Sequence, residues 1–380
     1  MDFALSEEQS AIFEMAREFS MENIAPHAVE WDQAKHFPLD VIKKTAELGM
    51  AGIYTRDDIG GSDLTRLDAA LIFEALSHGC PATASFLSIH NMCSWMIDTF
   101  GSEDMRQKWG PKLTSMETVA SYCLTEPGSG SDAASLKTTA KRDGDNYVLK
   151  GTKSFISGGG VSDLYIVMAR TGEPGPKGIS AFLMEKGTPG LSYGANEKKM
   201  GWNVQPTTEV VMDDVVIPAE NLLGQEGDGF KYAMKGLDGG RLNIAASALG
   251  AAQAALDKTL SYMSERQAFG KSINQFQALQ FRLADMEIEL QAARVFLYKA
   301  AWTYDQGSPD ATKYCAMAKR FVTDTAFDVA NQALQLHGGY GYLADYGIEK
   351  IVRDLRVHQI LEGTNEIMRL IVSRQMLSDN

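Results

Sequence analysis

A chain of 380 residues is long enough for about two or three packed domains and a large core. With 44% hydrophobic and 22% charged residues it is an ordinary globular composition. Its formal net charge of −13 argues against nucleic acid as a partner, because phosphate would be repelled over most of the surface. Cys80, Cys93, Cys123 and Cys315 are scattered without metal-type spacing and read as reduced thiols of an intracellular protein. The histidines show no zinc spacing either. The stretch Ala75–Ile97 lacks formal charge, but Pro81, several serines and Asn91 argue against a membrane span.

Ser6-Glu7-Glu8-Gln9 reads as a capping box, followed at helical spacing by Ile12, Met15, Ala16 and Phe19. Pro38 opens a second helix that ends near Gly49, and Leu67–Leu76 and Trp95–Phe100 continue in the same style, with a loop at Asp58–Asp63. Residues 1–117 are therefore expected to form a helical domain. From 118 to 225 the pattern changes to short strands: Val119–Thr125, Lys137–Lys141, Tyr147–Lys153, Leu164–Ala169, Ile179–Glu185, Glu209–Met212 and Val215–Ile217. Asp143-Gly144 marks a hairpin turn, and the spacing predicts a small antiparallel sandwich or barrel. Residues 226–380 return to long helical patterns, Arg241–Glu265, Phe276–Gln306 and Asp310–His337, which suit an antiparallel four-helix bundle. The fold class is thus α+β, in the order helical, β, helical.

Six stretches carry candidate chemistry. Tyr122-Cys-Leu-Thr-Glu-Pro-Gly-Ser-Gly-Ser-Asp132 offers amides and hydroxyls to an anion or to the polar edge of a ring; a plain β-turn is the alternative. Phe155-Ile156-Ser157 before three glycines could stack on and bond a flat cofactor, or supply a core Phe before a flexible loop. Asp238-Gly239-Gly240-Arg241 is read as the start of a long helix where a ligand can approach closely, or as a solvated loop. Arg266-Gln-Ala-Phe269-Gly270, with Phe276-Gln277, provides a guanidinium for phosphate, or a surface arginine at a helix end. Gln335-Leu336-His337-Gly338-Gly339 ends a helix with free amides. Arg353-Asp-Leu-Arg356, more in keeping with a structural ion-pair cluster, leads to His358-Gln-Ile-Leu-Glu362-Gly-Thr364. There a carboxylate among apolar neighbours is poorly solvated and suits proton abstraction near neutral pH; an ordinary loop Glu before a helix capped by Thr364 is the alternative.

Taken together and in this order, Thr-Glu-Pro-Gly-Ser-Gly-Ser-Asp, Arg-Gln-Ala-Phe-Gly, Gly-Gly-Tyr-Gly-Tyr and Arg-Asp-Leu-Arg-Val-His-Gln-Ile-Leu-Glu-Gly-Thr resemble the acyl-CoA dehydrogenase family over essentially the whole chain. Phe-Ile-Ser, Leu-Asp-Gly-Gly-Arg and His-Gln-Ile-Leu-Glu-Gly-Thr are most similar to its isobutyryl-CoA-type members, although Asp238 stands where that subgroup would have Asn. The resemblance implies FAD as cofactor, held at its ring and ribityl chain by Tyr122, Cys123, Leu124, Thr125, Gly130, Ser131, Phe155, Ile156 and Ser157. It implies that Arg266, Phe269, Phe276 and Gln277, with Gln335, Leu336, His337, Gly338 and Gly339, serve the FAD of a neighbouring subunit in a homotetramer. Thr364, Asn365 and Glu366 complete the cofactor contacts, and Ser131, Asp238, Gly239, Gly240, Arg241 and Arg374 contact acyl-CoA.

The family's base has two placements. The one just before the arginine matched by Arg241 is Gly240 here, and so is empty; Glu362 fills the other. The implied reaction is α,β-dehydrogenation, in which Glu362 takes the α proton and flavin N5 accepts the β hydride. Electrons then pass to electron-transfer flavoprotein. No targeting segment precedes the first helix, so a bacterial cytoplasmic protein is expected, with a processed mitochondrial-matrix form as the alternative.

Overall fold

The computed structural model describes residues 4–378. The first helix, α1 (Glu7–Asn23), starts at the expected capping box: Ser6 Oγ accepts from Gln9 N–H, and Gln9 Oε1 accepts from Ser6 N–H, each at 3.1 Å. Next come α2 (Ala28–Ala34), α3 (Leu39–Lys44), α4 (Arg66–Ser77), α5 (Pro81–Phe100) and α6 (Glu103–Thr114). The sequence reading missed α2 and α6 and saw only the end of α5. Both α4 and α5 are buried on nearly every side, so neither shows the apolar stripe that betrays a surface helix.

The middle segment holds β1 (Ala120–Cys123), β2 (Thr139–Asp143), β3 (Asn146–Ser157), β4 (Leu164–Arg170), β5 (Ile179–Glu185), β6 (Leu191–Tyr193), β7 (Thr207–Pro218) and β8 (Leu222–Leu223). The sheet runs β6-β7-β3-β2-β4-β5-β8. Most pairs are antiparallel, but β1 lies parallel to β4, and β2 touches β4 in parallel, so the sheet is mixed. The β2–β3 hairpin closes through Asp143 opposite Asn146, with Gly144 at φ 58°. Glu209–Met212 and Val215–Ile217, expected as two strands, are one. Asp213 and Asp214, which looked like a break, project to solvent from β7, and Asp214 takes φ 54° where the register with β3 shifts.

Three long helices, α7 (Gly229–Glu265), α8 (Gln277–Asp305) and α9 (Ala311–His337), form the final bundle with α10 (Ile348–His358) and α11 (Asn365–Ser378). Between α7 and α8, β9 (Gln267–Ala268) and β10 (Lys271–Ser272) make a small hairpin. The centre of α7 is lined with alanines and glycines because α4 crosses it closely. A Cβ at Gly250 would stand 2.8 Å from the carbonyl carbon of Glu74. The buried Glu74 carboxylate is answered from α8 by Arg294 Nε at 2.9 Å and Tyr298 Oη at 2.8 Å. The first helical segment and the bundle therefore share one core. The Arg353–Arg356 charges are structural: Arg353 pairs with Glu349 and Asp32, and Asp354 with Lys350.

Candidate active site

The chain leaves α10 at His358, whose ring is buried against Ile244 O and edge-on to Trp202; burial lowers its pKa to about 3, so it is a neutral packing group. A short turn follows before α11, which Thr364 Oγ1 caps by accepting from Ile367 N–H at 3.3 Å. Within the turn Glu362 takes φ 54° and Gly363 φ 91°. A left-handed glutamate is uncommon and costs about 1 kcal/mol or more.

That conformation sends the carboxylate towards α7, over Gly240. A Cβ at Gly240 would stand 2.9 Å from Glu362 Cδ and 3.1 Å from Oε1. The empty placement and the filled one therefore meet at one point in space. Glu362 as a whole is half-buried, yet its Oε2 is enclosed and has no hydrogen-bond partner. Burial lifts the carboxyl pKa to about 7, with Arg241 and Lys319 pulling the other way. Glu362 N–H takes no backbone acceptor among the described residues.

Asp238–Arg241 lie inside α7, not at its start as expected. Two adjacent glycines cost about 1 kcal/mol each in a helix interior, which is why they read as a boundary. Tertiary crowding explains them: Gly240 makes room for Glu362, and a Cβ at Gly239 would stand 2.5 Å from Arg66 Nη1. Arg241 donates from Nη1 to Asp238 at 2.6 Å and from Nε to Glu362 O at 3.3 Å. Asp238 also accepts from Thr312 Oγ1 at 2.6 Å, so both its oxygens are engaged inside the fold.

The two β-domain segments come together. Ser154 N–H donates to Thr125 O at 2.8 Å, joining Tyr122–Ser131 to Phe155–Ser157. The β3–β7 register shifts between Lys153 and Ile156, and Phe155 sits there at φ 60°, 65% exposed. Cys123, Leu124 and Ile156 are buried, Thr125 and Ser157 half-buried, and Gly130 and Ser131 exposed. The Tyr122 hydroxyl is enclosed without a partner, and the Glu362 charge is among the influences that raise its pKa, after burial and Cys93, so this segment faces the Glu362 turn.

A third group gathers elsewhere. Arg266, Gln335, Leu336, His337, Gly338 and Gly339 line one cavity of about 620 Å³ with Tyr262 and Tyr340. Arg266 lies over the Tyr340 ring at 5.2 Å. Phe269 stands at the tip of the β9–β10 hairpin, 96% exposed, edge-on to Phe276, and Gln277 opens α8 in solvent. Glu362, Tyr122 and Phe155 are not among the cavity's lining residues. Arg374 and Glu366 are exposed on α11, whereas Asn365 is buried beneath the Glu362 turn.

The family profiles for the acyl-CoA dehydrogenase N-terminal, middle and C-terminal domains match residues 6–117, 121–215 and 227–377. The chain belongs to the acyl-CoA dehydrogenase family. It is 54% identical over 375 residues to the mitochondrial isobutyryl-CoA dehydrogenase of Bos taurus, covering 99% of this chain and 90% of that one. The corresponding figures for the mitochondrial isobutyryl-CoA dehydrogenase of Dictyostelium discoideum are 52% over 377 residues, 99% and 91%. Among solved structures, butyryl-CoA dehydrogenase from Megasphaera elsdenii superposes with a TM-score of 0.96 at 40% identity, covering 99% of this chain and 100% of that one.

The dehydrogenase also holds residues that sequence reasoning missed. Lys153, buried on β3, donates to Leu124 O at 3.1 Å and to Glu126 Oε1 at 2.8 Å, and Glu126 also accepts from Lys137 and Thr138 N–H. Burial would raise Glu126, but Lys153 and these donors hold it below the usual carboxylate range. This pair shapes the loop after β1; the one available signal was a lysine at an inward position of a strand. Arg66 stacks 3.4 Å over Tyr54 behind Gly239. Lys319, on α9, reaches the Glu362–Gly363 turn itself.

Proposed function

We propose that this acyl-CoA dehydrogenase family member oxidises a short acyl-CoA with a methyl branch at C2, isobutyryl-CoA first, using FAD and with Glu362 as the base. The observation that carries the reading is the Glu362 carboxylate: enclosed, without a hydrogen-bond partner on Oε2, and with a pKa of about 7. A group poised there is half ionised at neutral pH and strong enough to take a proton. Oε2 takes the α proton. The enolate oxygen that develops needs a donor aimed at it, and Glu362 N–H, which takes no backbone acceptor among the described residues, is free to serve.

The residues fit FAD: Phe155 offers an exposed aromatic face on a strand bulge, with Ser157 close by in chain and Thr125 joined to its neighbour Ser154 by a backbone hydrogen bond. When bound, FAD supplies the acceptor for the β hydrogen as hydride. Electron-transfer flavoprotein is the proposed acceptor of the electrons. Phe281, Ile288, Val295 and Trp302 recur every seven residues as exposed large apolar side chains of α8, a stripe suited to pairing with further copies, and a homotetramer is the proposed assembly. The third residue group, apart from Glu362 within one chain, would then serve a neighbour's cofactor.

The C2 branch is favoured by the likeness to the isobutyryl-CoA dehydrogenases. A methyl group in an apolar pocket discriminates by only about 1–3 kcal/mol, so 2-methylbutyryl-CoA and short straight chains are expected as slower substrates. The test is kcat/KM for isobutyryl-, butyryl-, isovaleryl- and octanoyl-CoA with a dye acceptor. A preference of about tenfold or more for octanoyl- or isovaleryl-CoA over isobutyryl-CoA would overturn the branched-substrate reading.

A further inference from the structure

We propose that Lys319 is a positioning residue for the base: from α9 it holds the Glu362–Gly363 turn in the conformation that presents the carboxylate over Gly240. The inference rests on the reading of Glu362 as base. The Lys319 side chain is 0% exposed. Its Nζ donates to Gly363 O at 2.8 Å and to Asn365 Oδ1 at 2.9 Å. Among the described residues no carboxylate lies within 4.0 Å of it. Burying an ammonium without an ion-pair partner is costly, and an apolar side chain would fill a helix-packing position more cheaply. One acceptor lies in the Glu362–Gly363 turn and the other, Asn365, is the first residue of the helix that the turn leads into.

Two consecutive carbonyls of the turn are each held by a buried basic side chain, and burial lowers the Lys319 pKa to about 7, so its charge is carried at and below neutral pH. Glu362 O accepts from Arg241 on α7, and Gly363 O accepts from Lys319 on α9. The turn is clamped between two helices through its backbone while the carboxylate stays free of any donor on Oε2. This division matters chemically. A direct ion pair would hold the carboxylate ionised at low pH and make it a weak base. Gripping the peptide fixes its position while leaving the carboxylate basic. Asn365 extends the clamp, donating from Nδ2 to Thr323 Oγ1 at 3.0 Å and Asp324 Oδ1 at 2.6 Å.

The charges around the pair come from every neighbouring element. Glu362 faces Arg241 of α7, Lys319 of α9, Tyr122 of β1 and Tyr54. Lys319 faces Glu362, Arg241, Asp324 of α9, Glu366 of α11 and His358 of α10. Of these, Lys319 pulls the Glu362 pKa down, so its loss moves the ionisation of the base to higher pH.

Lys319→Met keeps the length and removes both charge and donor; Lys319→Gln keeps a donor and removes the charge. Each is purified as the FAD-loaded enzyme, and kcat, KM and the pH profile of kcat/KM are measured beside Glu362→Gln. In Lys319→Met, kcat is expected to fall about tenfold or more with KM nearly unchanged, and the acid limb to move to higher pH. Lys319→Gln is expected to recover part of kcat but to keep the displaced limb. Parental kcat and limb in whichever variant folds, with Glu362→Gln inactive, overturn the positioning role alone. A fully active Glu362→Gln overturns the base assignment and this inference with it.

Discussion

Gly240→Ala is the most informative single substitution. By helix propensity alone it should stabilise α7 by about 0.8–1.0 kcal/mol. The added Cβ, however, would stand 2.9 Å from Glu362 Cδ and 3.1 Å from Oε1, where an ordinary contact begins at 3.4 Å. The carboxylate must therefore retreat by about 0.5 Å at Cδ, and by more at Oε2, the nearest atom. Because it is the end of a flexible side chain, the retreat costs little stability. A base misplaced by about 1 Å loses on the order of 10²-fold in rate. The expected result is a melting temperature equal to or slightly above the parent's, retained FAD, and kcat with isobutyryl-CoA reduced by about 10²-fold in a dye-reduction assay. A variant turning over within about twofold of the parent would refute the idea that the bare backbone at Gly240 is what seats the base.

The remaining expectations can be checked with purified protein. Activity needs the ionised base, so kcat/KM should rise with pH through about 7, and Glu362→Gln should lose about 10²–10⁴-fold at pH 8 while still binding FAD. The folded pKa of Glu362, about 7, lies above the ordinary glutamate value of 4.5, so its favourable contribution is complete below pH 4.5 and lost as pH rises through 7. The ionised group then costs up to about 3 kcal/mol, and Glu362→Gln should melt higher than the parent at pH 8 and lose that advantage by pH 5; equal melting temperatures at both would contradict the burial argument. Arg266→Ala should weaken FAD binding by roughly ten- to over a hundredfold in apoprotein titration, since a charge-assisted hydrogen bond is worth about 1.5–3 kcal/mol. Val295→Glu, in the middle of the exposed α8 stripe, should split the assembly in light scattering; an unchanged mass would place the interface elsewhere.

Local signals were legible in the sequence wherever the physics is local. Ser6 and Gln9 cap each other across one turn, Asp143-Gly144 closes a hairpin, and Gly338 ends α9, and each could be read from its neighbours. The helical, β, helical order came from periodicity, which reports burial within an element. What escaped depends on contacts between distant segments. Gly239 and Gly240 looked like a helix boundary because their cost is local, while their reasons, Arg66 and Glu362, come from far along the chain. Nothing in its own stretch of sequence singles out Lys319; only the fold shows it buried under the Glu362 turn. The parallel pairing of β1 with β4 leaves no trace in either strand's own pattern.

The left-handed backbone at Glu362 also bears on how activity can be lost over generations. At φ 54°, with Gly363 at φ 91° behind it, glycine fits position 362 better than any side chain. Removing the carboxylate would relieve backbone strain and the burden of a buried charge at once, leaving a chain that folds at least as well and, with Glu362 as the proposed base, has lost its proton acceptor. Selection for stability alone therefore runs against the base. A descendant released from selection for turnover has an energetically downhill, single-codon route to a folded, inactive protein.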